Sequence, residues 1–287
     1  MSERATTIRR GLAETFDPTW NKAMKLTETQ LEEYGNNGFV LLPELFSKEE
    51  VDILCEALEE DGSTPGPHLV TEADGHTLRA IYASHLRHPV YRRLIRSDRL
   101  LAPVKQLADD ELYIHQLKVN VKHAHGGEQW AWHQDFIVWR DADNMPAPRA
   151  VNVGIFLDDM NEYNGSLVFL RGSHRLGTLE RKGHGAIDAG RHIDPDDYSL
   201  DAEELGRLTT AHEMTSPKGS AGSVVLFHPE VIHGSALNIS PFPRRLLIAT
   251  YNPITNEPRP AGRPRPEYLV GRAGAPLVAQ KGPVRAN

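Results

Sequence analysis

The sequence predicts a mainly β domain with helices packed on its flanks. Three observations carry this reading. Helix-start signals cluster in the first third of the chain. Strand-sized apolar runs separated by Gly, Pro and Asn fill the part after about Leu112. No internal repeat or phosphate-binding glycine loop breaks that order. Short strands with loops between them favour a β-sandwich or barrel.

Each element has a local reason. Residues 1–24 are polar and aperiodic and read as a flexible N-terminal arm. Thr27-Glu28-Thr29-Gln30 and Ser47-Lys48-Glu49-Glu50 are capping boxes, in which the two side chains satisfy each other's orphan backbone donors. Each opens a short helix. Between them Gly38–Pro43 reads as a strand stopped by proline. A helical stretch spans about Pro89–Leu107, with Asp98 as an internal cap where one helix gives way to the next. The expected strands are Leu112–Lys122, Ala150–Leu157, Ser166–Leu170, Gly222–Phe227 and Arg245–Tyr251. Residues 25–287 are expected to form a single domain with a polar, His/Asp-rich insertion at about 177–218, a lid or excursion rather than core. The proline-rich tail after Asn252 reads as extended and irregular.

Composition removes several function classes. The 287 residues hold 32 Lys+Arg against 39 Asp+Glu, a net charge of −7, which argues against nucleic-acid binding. Cys55 is the only cysteine, which excludes an internal disulfide and a cysteine-based zinc site. No run approaches the roughly 18 apolar residues of a membrane span. The first 20 residues lack an apolar signal core, so a cytoplasmic chain with no membrane partner is expected. The 14 histidines are the unusual feature.

Trp132-His133-Gln134-Asp135 places an imidazole and a carboxylate two residues apart. In an extended segment both point to one face. A second histidine from a distant strand completes a 2-His-1-carboxylate set, which holds non-haem iron and leaves positions open for substrates. The chain contains another His-x-Asp, His192-Ile193-Asp194, but Pro195-Asp196-Asp197 follows it and reads as a solvated turn. His133 lies among Trp130, Trp132, Phe136 and Trp139 in what reads as a strand, where a polar pair needs a reason. His233 follows the run Val224–Phe227, and Arg244 comes eleven residues later. If two antiparallel strands are joined by the Asn238–Pro243 loop, His233 and Arg244 lie side by side, and Arg244 offers a bidentate fork to a carboxylate near the metal. His228 is the rival third ligand and has no comparable arginine spacing.

With these residues in view the sequence resembles the phytanoyl-CoA dioxygenase superfamily of Fe(II)/2-oxoglutarate oxygenases over about residues 27–270, nearest its bacterial proline and ectoine hydroxylase branches. The stretches that carry the resemblance are Tyr113–Asn120, Trp132–Trp139, Asn164–Leu167, Gly172–His174, His233–Ser235 and Asn238–Arg244. It implies a double-stranded β-helix (jelly roll) with flanking helices, with Fe(II), 2-oxoglutarate and O2 as cofactor and cosubstrates. Position by position, His133, Asp135 and His233 match the iron ligands, Arg244 and Ser235 match partners of the distal carboxylate of 2-oxoglutarate, and Asn120 matches another cosubstrate contact. Gln116, Trp139 and Phe227 match substrate-pocket positions. Arg79, in a family-like stretch, is a candidate partner for a substrate carboxylate. Gln116, Lys118 and Asn120 share one strand face by their spacing of two.

The resemblance implies hydroxylation of a small molecule with release of succinate and CO2. Asp135 supports that outcome, because related halogenases carry a small residue there. Ile248 stands where ectoine hydroxylases carry an aromatic that stacks on the substrate, which puts L-proline (trans-4-hydroxylation) ahead of ectoine, another amino acid or a natural-product intermediate. Two other classes compete. A zinc hydrolase can use the same three ligands but gives Arg244 no task, and a non-catalytic jelly-roll binding module gives the triad none.

Overall fold

A computed structural model describes residues 25–180 and 192–285. The expected N-terminal arm, residues 1–24, lies outside the described residues, as do 181–191 of the expected insertion.

Both capping boxes form. Thr27 and Gln30 start α1 (Glu28–Asn37), and Ser47 and Glu50 start α2 (Lys48–Gly62). Gly38, at φ 82°, ends α1 in the left-handed region that glycine tolerates and leads into β1 (Phe39–Leu42). A short pair, β2 (Leu69–Thr71) and β3 (Leu78–Tyr82), precedes three helices, α3 (Ser84–Arg87), α4 (Pro89–Leu94) and α5 (Asp98–Ala108). The expected helical stretch is thus two helices, and Ser97 rather than Asp98 occupies the cap position of the second.

The β core follows with β4 (Leu112–Lys122), β5 (Trp130–His133), β6 (Val151–Phe156) and β7 (Val168–Leu170). After α6 (Asp135–Asp143, between β5 and β6) and α7 (Ala202–Thr209), the remaining strands are β8 (Met214–Thr215), β9 (Val224–Phe227), β10 (His233–Ser235) and β11 (Arg244–Pro253). Seven strands form one antiparallel sheet in the order β1-β9-β6-β11-β4-β3-β2, and four form a second in the order β5-β10-β7-β8. The two sheets with helices against the larger one are the jelly roll that the sequence predicts.

Burial explains the arrangement. The helices pack Leu54, Tyr91, Leu94, Leu100 and Val104 against Leu117, Val119, Val153 and Leu247 of the large sheet. That fixes the helices on one face and leaves the opposite face of β4 and β11 to look toward the smaller sheet. A second cluster, Phe39, Phe156, Phe169, Val225, Phe227 and Ile248, fills part of the space there. The site occupies the rest.

Two expectations are corrected. Residues 136–139 are helical, not strand: Phe136, Ile137, Val138 and Trp139 sit in α6 and are all buried. A short apolar run has no period by which strand and buried helix can be told apart. The insertion is also more than an excursion, since it supplies β8 to the smaller sheet and buries Ile193, Tyr198 and Leu208.

Candidate active site

His133 and His233 are direct register partners on β5 and β10, so their side chains share one face of the smaller sheet. Their ring centroids are 4.2 Å apart. Asp135 reaches the same point from the first turn of α6. The Trp132–Asp135 segment is not extended throughout; the strand ends at His133 and the helix begins at Asp135. Gln134 pins this corner, donating to the Glu230 carbonyl at 2.7 Å and the Gly177 carbonyl at 3.0 Å and accepting from the Leu179 amide at 2.9 Å. A carboxylate at a helix N-terminus also sits favourably with the helix dipole.

One ligand atom from each of His133, Asp135 and His233 lies within 4.8 Å of the others. Nε2 of His133 is 3.7 Å from Asp135 Oδ1, and Nε2 of His233 is 3.8 Å from Asp135 Oδ2. Each imidazole is turned by its other nitrogen. His133 Nδ1 meets the Ala131 carbonyl at 2.6 Å and His233 Nδ1 the Val231 carbonyl at 3.0 Å, which leaves both Nε2 atoms as acceptors facing the centre. Asn152 Nδ2 donates to Asp135 Oδ2 at 2.8 Å, and Thr250 Oγ1 donates to Asn152 Oδ1 at 2.7 Å. Burial opposes ionisation of Asp135, but the adjacent His133, His233 and Lys118 hold its carboxyl well below the usual range. Burial, reinforced by His133, pushes His233 down to about 4. An ionised carboxylate and neutral imidazoles are the forms a divalent cation requires. The donor set therefore fits iron.

A second feature adjoins the triad. Arg244 opens β11, fully buried, and donates to Ser235 Oγ at 3.4 Å and to the Gly165 carbonyl. The expected hairpin is absent: β10 and β11 belong to different sheets, and the loop between them crosses from one to the other. Arg244 and Ser235 meet across that gap. Lys122, the register partner of Arg244 on β4, is buried as well and donates to the Ala236 carbonyl. Burial, with Arg244 second, pushes Lys122 down to about 6, and burial pushes Arg244 down to about 10. Gly165 floors this corner with φ 66°, and a Cβ there would meet the Ala236 oxygen at 2.5 Å. Arg244 Nε and the buried Asn120 Oδ1 have no hydrogen-bond partner among the described residues. A buried cation pair with idle donors and no carboxylate on it is a built anion site. It fits the distal carboxylate of 2-oxoglutarate.

A narrow pocket, about 380 Å3 with its open mouth included, lies beside the triad and reaches Asp135. Gln116, Lys118, Trp130 and Trp139 line it, as the sequence led one to expect for Gln116 and Trp139. Gln116 Nε2 is held by the Leu269 carbonyl at 2.9 Å. Tyr82, Tyr198, Arg265 and Leu269, none of them singled out in the sequence, complete the wall. Tyr198 stands edge-on to His133 with ring centroids 5.3 Å apart.

Three assignments change. Phe227 does not line the pocket; it packs behind the metal ligand, with its ring 5.3 Å from those of His233 and Phe169. Arg79 does not face the pocket either. It is buried under the Trp130 ring and bonded to Glu72, Glu128 and Asp194 at 3.1, 2.7 and 3.2 Å. His192, read as part of a solvated turn, lines the pocket and meets the Tyr82 hydroxyl at 3.0 Å. The rival His228 stays outside the triad, against the ring of His174 at 5.2 Å.

The missed residues differ in how visible they were. Lys122 continues the alternation Gln116, Lys118, Asn120 by one step and was accessible to the same argument. Tyr198, Arg265 and Leu269 arrive from the insertion and the tail, where no local pattern marks them. No described helix is long and apolar enough to cross a membrane.

Known proteins resemble this chain in sequence and in fold. The phytanoyl-CoA dioxygenase (PhyH) family model matches residues 34–246. An L-proline trans-4-hydroxylase of Streptomyces griseoviridis is 38% identical over 250 residues, covering 85% of this chain and 92% of that protein. An ectoine dioxygenase of Bordetella bronchiseptica is 35% identical over 261 residues, covering 86% and 83%. The crystal structure of EctD from S. alaskensis with 2-oxoglutarate and 5-hydroxyectoine superposes with a TM-score of 0.80 at 31% identity, covering 94% of each chain. The same enzyme with bound Fe gives 0.77 at 31% identity, covering 91% and 89%. The fold and a His-Asp-His set able to hold a metal agree with these matches, and the chain belongs to the phytanoyl-CoA dioxygenase family as an iron- and 2-oxoglutarate-dependent dioxygenase of the proline hydroxylase and ectoine dioxygenase type.

Proposed function

We propose that the enzyme hydroxylates a small free amino acid, with L-proline at its trans-4 position the first substrate to test. The observation that carries this reading is the pocket beside Asp135. It is narrow, walled closely by Tyr82, Trp130, Trp139 and Tyr198, and even with its open mouth included it spans only about 380 Å3, which suits a small molecule better than a CoA thioester. Its walls pair aromatic faces with an amide, an ammonium and a guanidinium, a chemistry suited to a compact zwitterion.

His133, Asp135 and His233 would hold the iron. Arg244, Ser235, Lys122 and Asn120 would hold the distal carboxylate of 2-oxoglutarate. Together iron and 2-oxoglutarate supply the oxidant, with succinate and CO2 as coproducts. The chain itself orients and excludes. Gln116 is aimed by its bond to the Leu269 carbonyl, Trp139 is held by its edge contact with His115 at 5.0 Å, and Tyr82 and Tyr198 shut water from the cavity. Fixing one C–H bond toward the metal is how such a site selects its position.

Ectoine is the second reading, supported by the ectoine dioxygenase relatives. Ile248, aliphatic where ectoine hydroxylases carry an aromatic, lies in the buried cluster with Leu246, Val225 and Phe227 and not in the pocket wall, so its support for proline rests on the sequence pattern alone. Mass spectrometry after aerobic incubation with Fe(II), 2-oxoglutarate and ascorbate separates the readings, using L-proline, other free amino acids and ectoine. A +16 Da proline product with matching succinate supports the proposal. Product from ectoine alone overturns it in favour of the second reading. Succinate without product redirects the search to other small molecules.

A further inference from the structure

β4 is buried along its whole length except at Lys118, and the surface Lys118 exposes is pocket wall. Its Nζ lies 5.8 Å from the centre of the Trp130 ring. No described carboxylate is within salt-bridge distance of it, and no hydrogen bond to it is present among the described residues. Asp135 is near enough to favour the charge but is turned toward His133 and His233. The other cation of the pocket, Arg265, is in a different position. Both are partly desolvated, but Arg265 is clamped to Asp143 by two hydrogen bonds of 2.8 and 2.7 Å, both side chains being buried. Its charge is neutralised within the protein. An ammonium that has given up part of its hydration without gaining an anion recovers that cost only from a ligand.

We propose that Lys118 is the specificity-determining cation of the pocket, binding the substrate's carboxylate, while Arg265 with Asp143 forms a neutral wall. This rests on the amino-acid reading above and adds which group of the substrate is recognised and by what. A carboxylate placed there accepts up to three hydrogen bonds from the ammonium, with the Trp130 face behind it. A neutral amide of the same shape leaves the charge unpaired.

The test uses iron- and 2-oxoglutarate-loaded protein held without oxygen, titrated calorimetrically with cyclopentanecarboxylate and with cyclopentanecarboxamide. The wild type is expected to prefer the carboxylate by about 10- to 100-fold, the worth of a charge-assisted hydrogen bond. Lys118→Met and Lys118→Gln are expected to abolish that preference while leaving the affinity for 2-oxoglutarate unchanged. A wild type that binds both probes alike, or binds neither, overturns the proposal. So does a preference that persists in both variants, or one lost in Arg265→Gln and kept in Lys118→Met. A raised KM for 2-oxoglutarate in the Lys118 variants assigns the lysine to the cosubstrate and overturns it too. The two readings fail separately: if no amino acid is hydroxylated but the carboxylate preference depends on Lys118, only the amino-acid reading falls.

Discussion

Arg244 and Lys122 are direct register partners on neighbouring antiparallel strands, and both side chains are fully buried. Charging both would set like charges opposite each other on a sheet, and burial adds to that cost, so Lys122 gives up its proton more easily than a free lysine. Under the reading proposed above, the distal carboxylate of 2-oxoglutarate completes the arrangement. Lys122→Met is therefore expected to raise the thermal midpoint of the cosubstrate-free protein by a few degrees while raising the KM for 2-oxoglutarate about 10- to 100-fold. Arg244→Lys is expected to do comparable harm to KM, since the planar fork is lost. Melting curves with and without 2-oxoglutarate, beside steady-state kinetics, check both. A Lys122→Met protein that is less stable and binds 2-oxoglutarate normally would sink this account.

The same pair predicts proton uptake. Burial and Arg244 push Lys122 from its ordinary 10.5 down to about 6, so at pH 8 the amine of the free protein is neutral. A carboxylate beside it favours the charged form and raises the pKa again. Between about pH 6 and 10.5 the complex thus holds more protons than the free protein, and affinity for 2-oxoglutarate falls as pH rises through that window. Calorimetry at pH 8 in buffers of different ionisation enthalpy should show close to one proton taken up per cosubstrate bound, and none in Lys122→Met. Equal uptake by both proteins would assign the proton elsewhere.

Asn152 and Thr250 form the chain of support behind Asp135. They are register partners on β6 and β11, so the large sheet steadies a carboxylate that α6 supplies. Replacing Asn152 by Ala frees one carboxylate oxygen and is expected to weaken metal binding about 10- to 100-fold, with Thr250→Val smaller in the same direction. His133→Ala and Asp135→Ala, which remove ligands, should abolish succinate formation altogether. Titration with Fe(II) or Co(II) ranks the four, and an Asn152→Ala protein with unchanged metal affinity would deny the residue its role.

The parts of this site that were legible in the sequence are those encoded over short distances. His133 and Asp135 are two residues apart, and His233 and Ser235 follow an apolar strand. Gln116 and Asn120 share a face because a strand alternates. Capping boxes at Thr27 and Ser47 located two helix starts from four residues each. What was illegible depends on the chain meeting itself. Arg79 and His192 exchanged their expected places because Asp194, 115 residues from Arg79, supplies the partner that a substrate was expected to be. Arg265 and Leu269 lie in a proline-rich tail with no period, and only their contacts with Asp143 and Gln116 give them a place. The strand-like context read around His133 failed at Phe136–Trp139 for a different reason: four apolar residues in a row bury equally well in either conformation.

Arg79 ties the segment carrying His192, Ile193 and Tyr198 to the sheet through Asp194. It also carries Glu72, which is buried, and Glu128, which is nearly half exposed at 45%. Two substitutions separate these tasks. Arg79→Met strands the Glu72 carboxylate without its cation and is expected to destabilise the fold by about 3–5 kcal/mol, the usual cost of breaking a buried pair from one side. Asp194→Asn leaves Glu72 and Glu128 on the arginine and removes only a bond at the half-buried end, so global stability should change by no more than about 1 kcal/mol. The pocket wall, however, loses its anchor. Asp194→Asn is therefore expected to raise the KM for the organic substrate several-fold, to leave metal and 2-oxoglutarate affinity unchanged, and to speed proteolysis between Ile193 and Leu200. Protection of that segment equal to the wild type, measured by hydrogen exchange, would show that packing of Ile193 and Tyr198 alone keeps it closed.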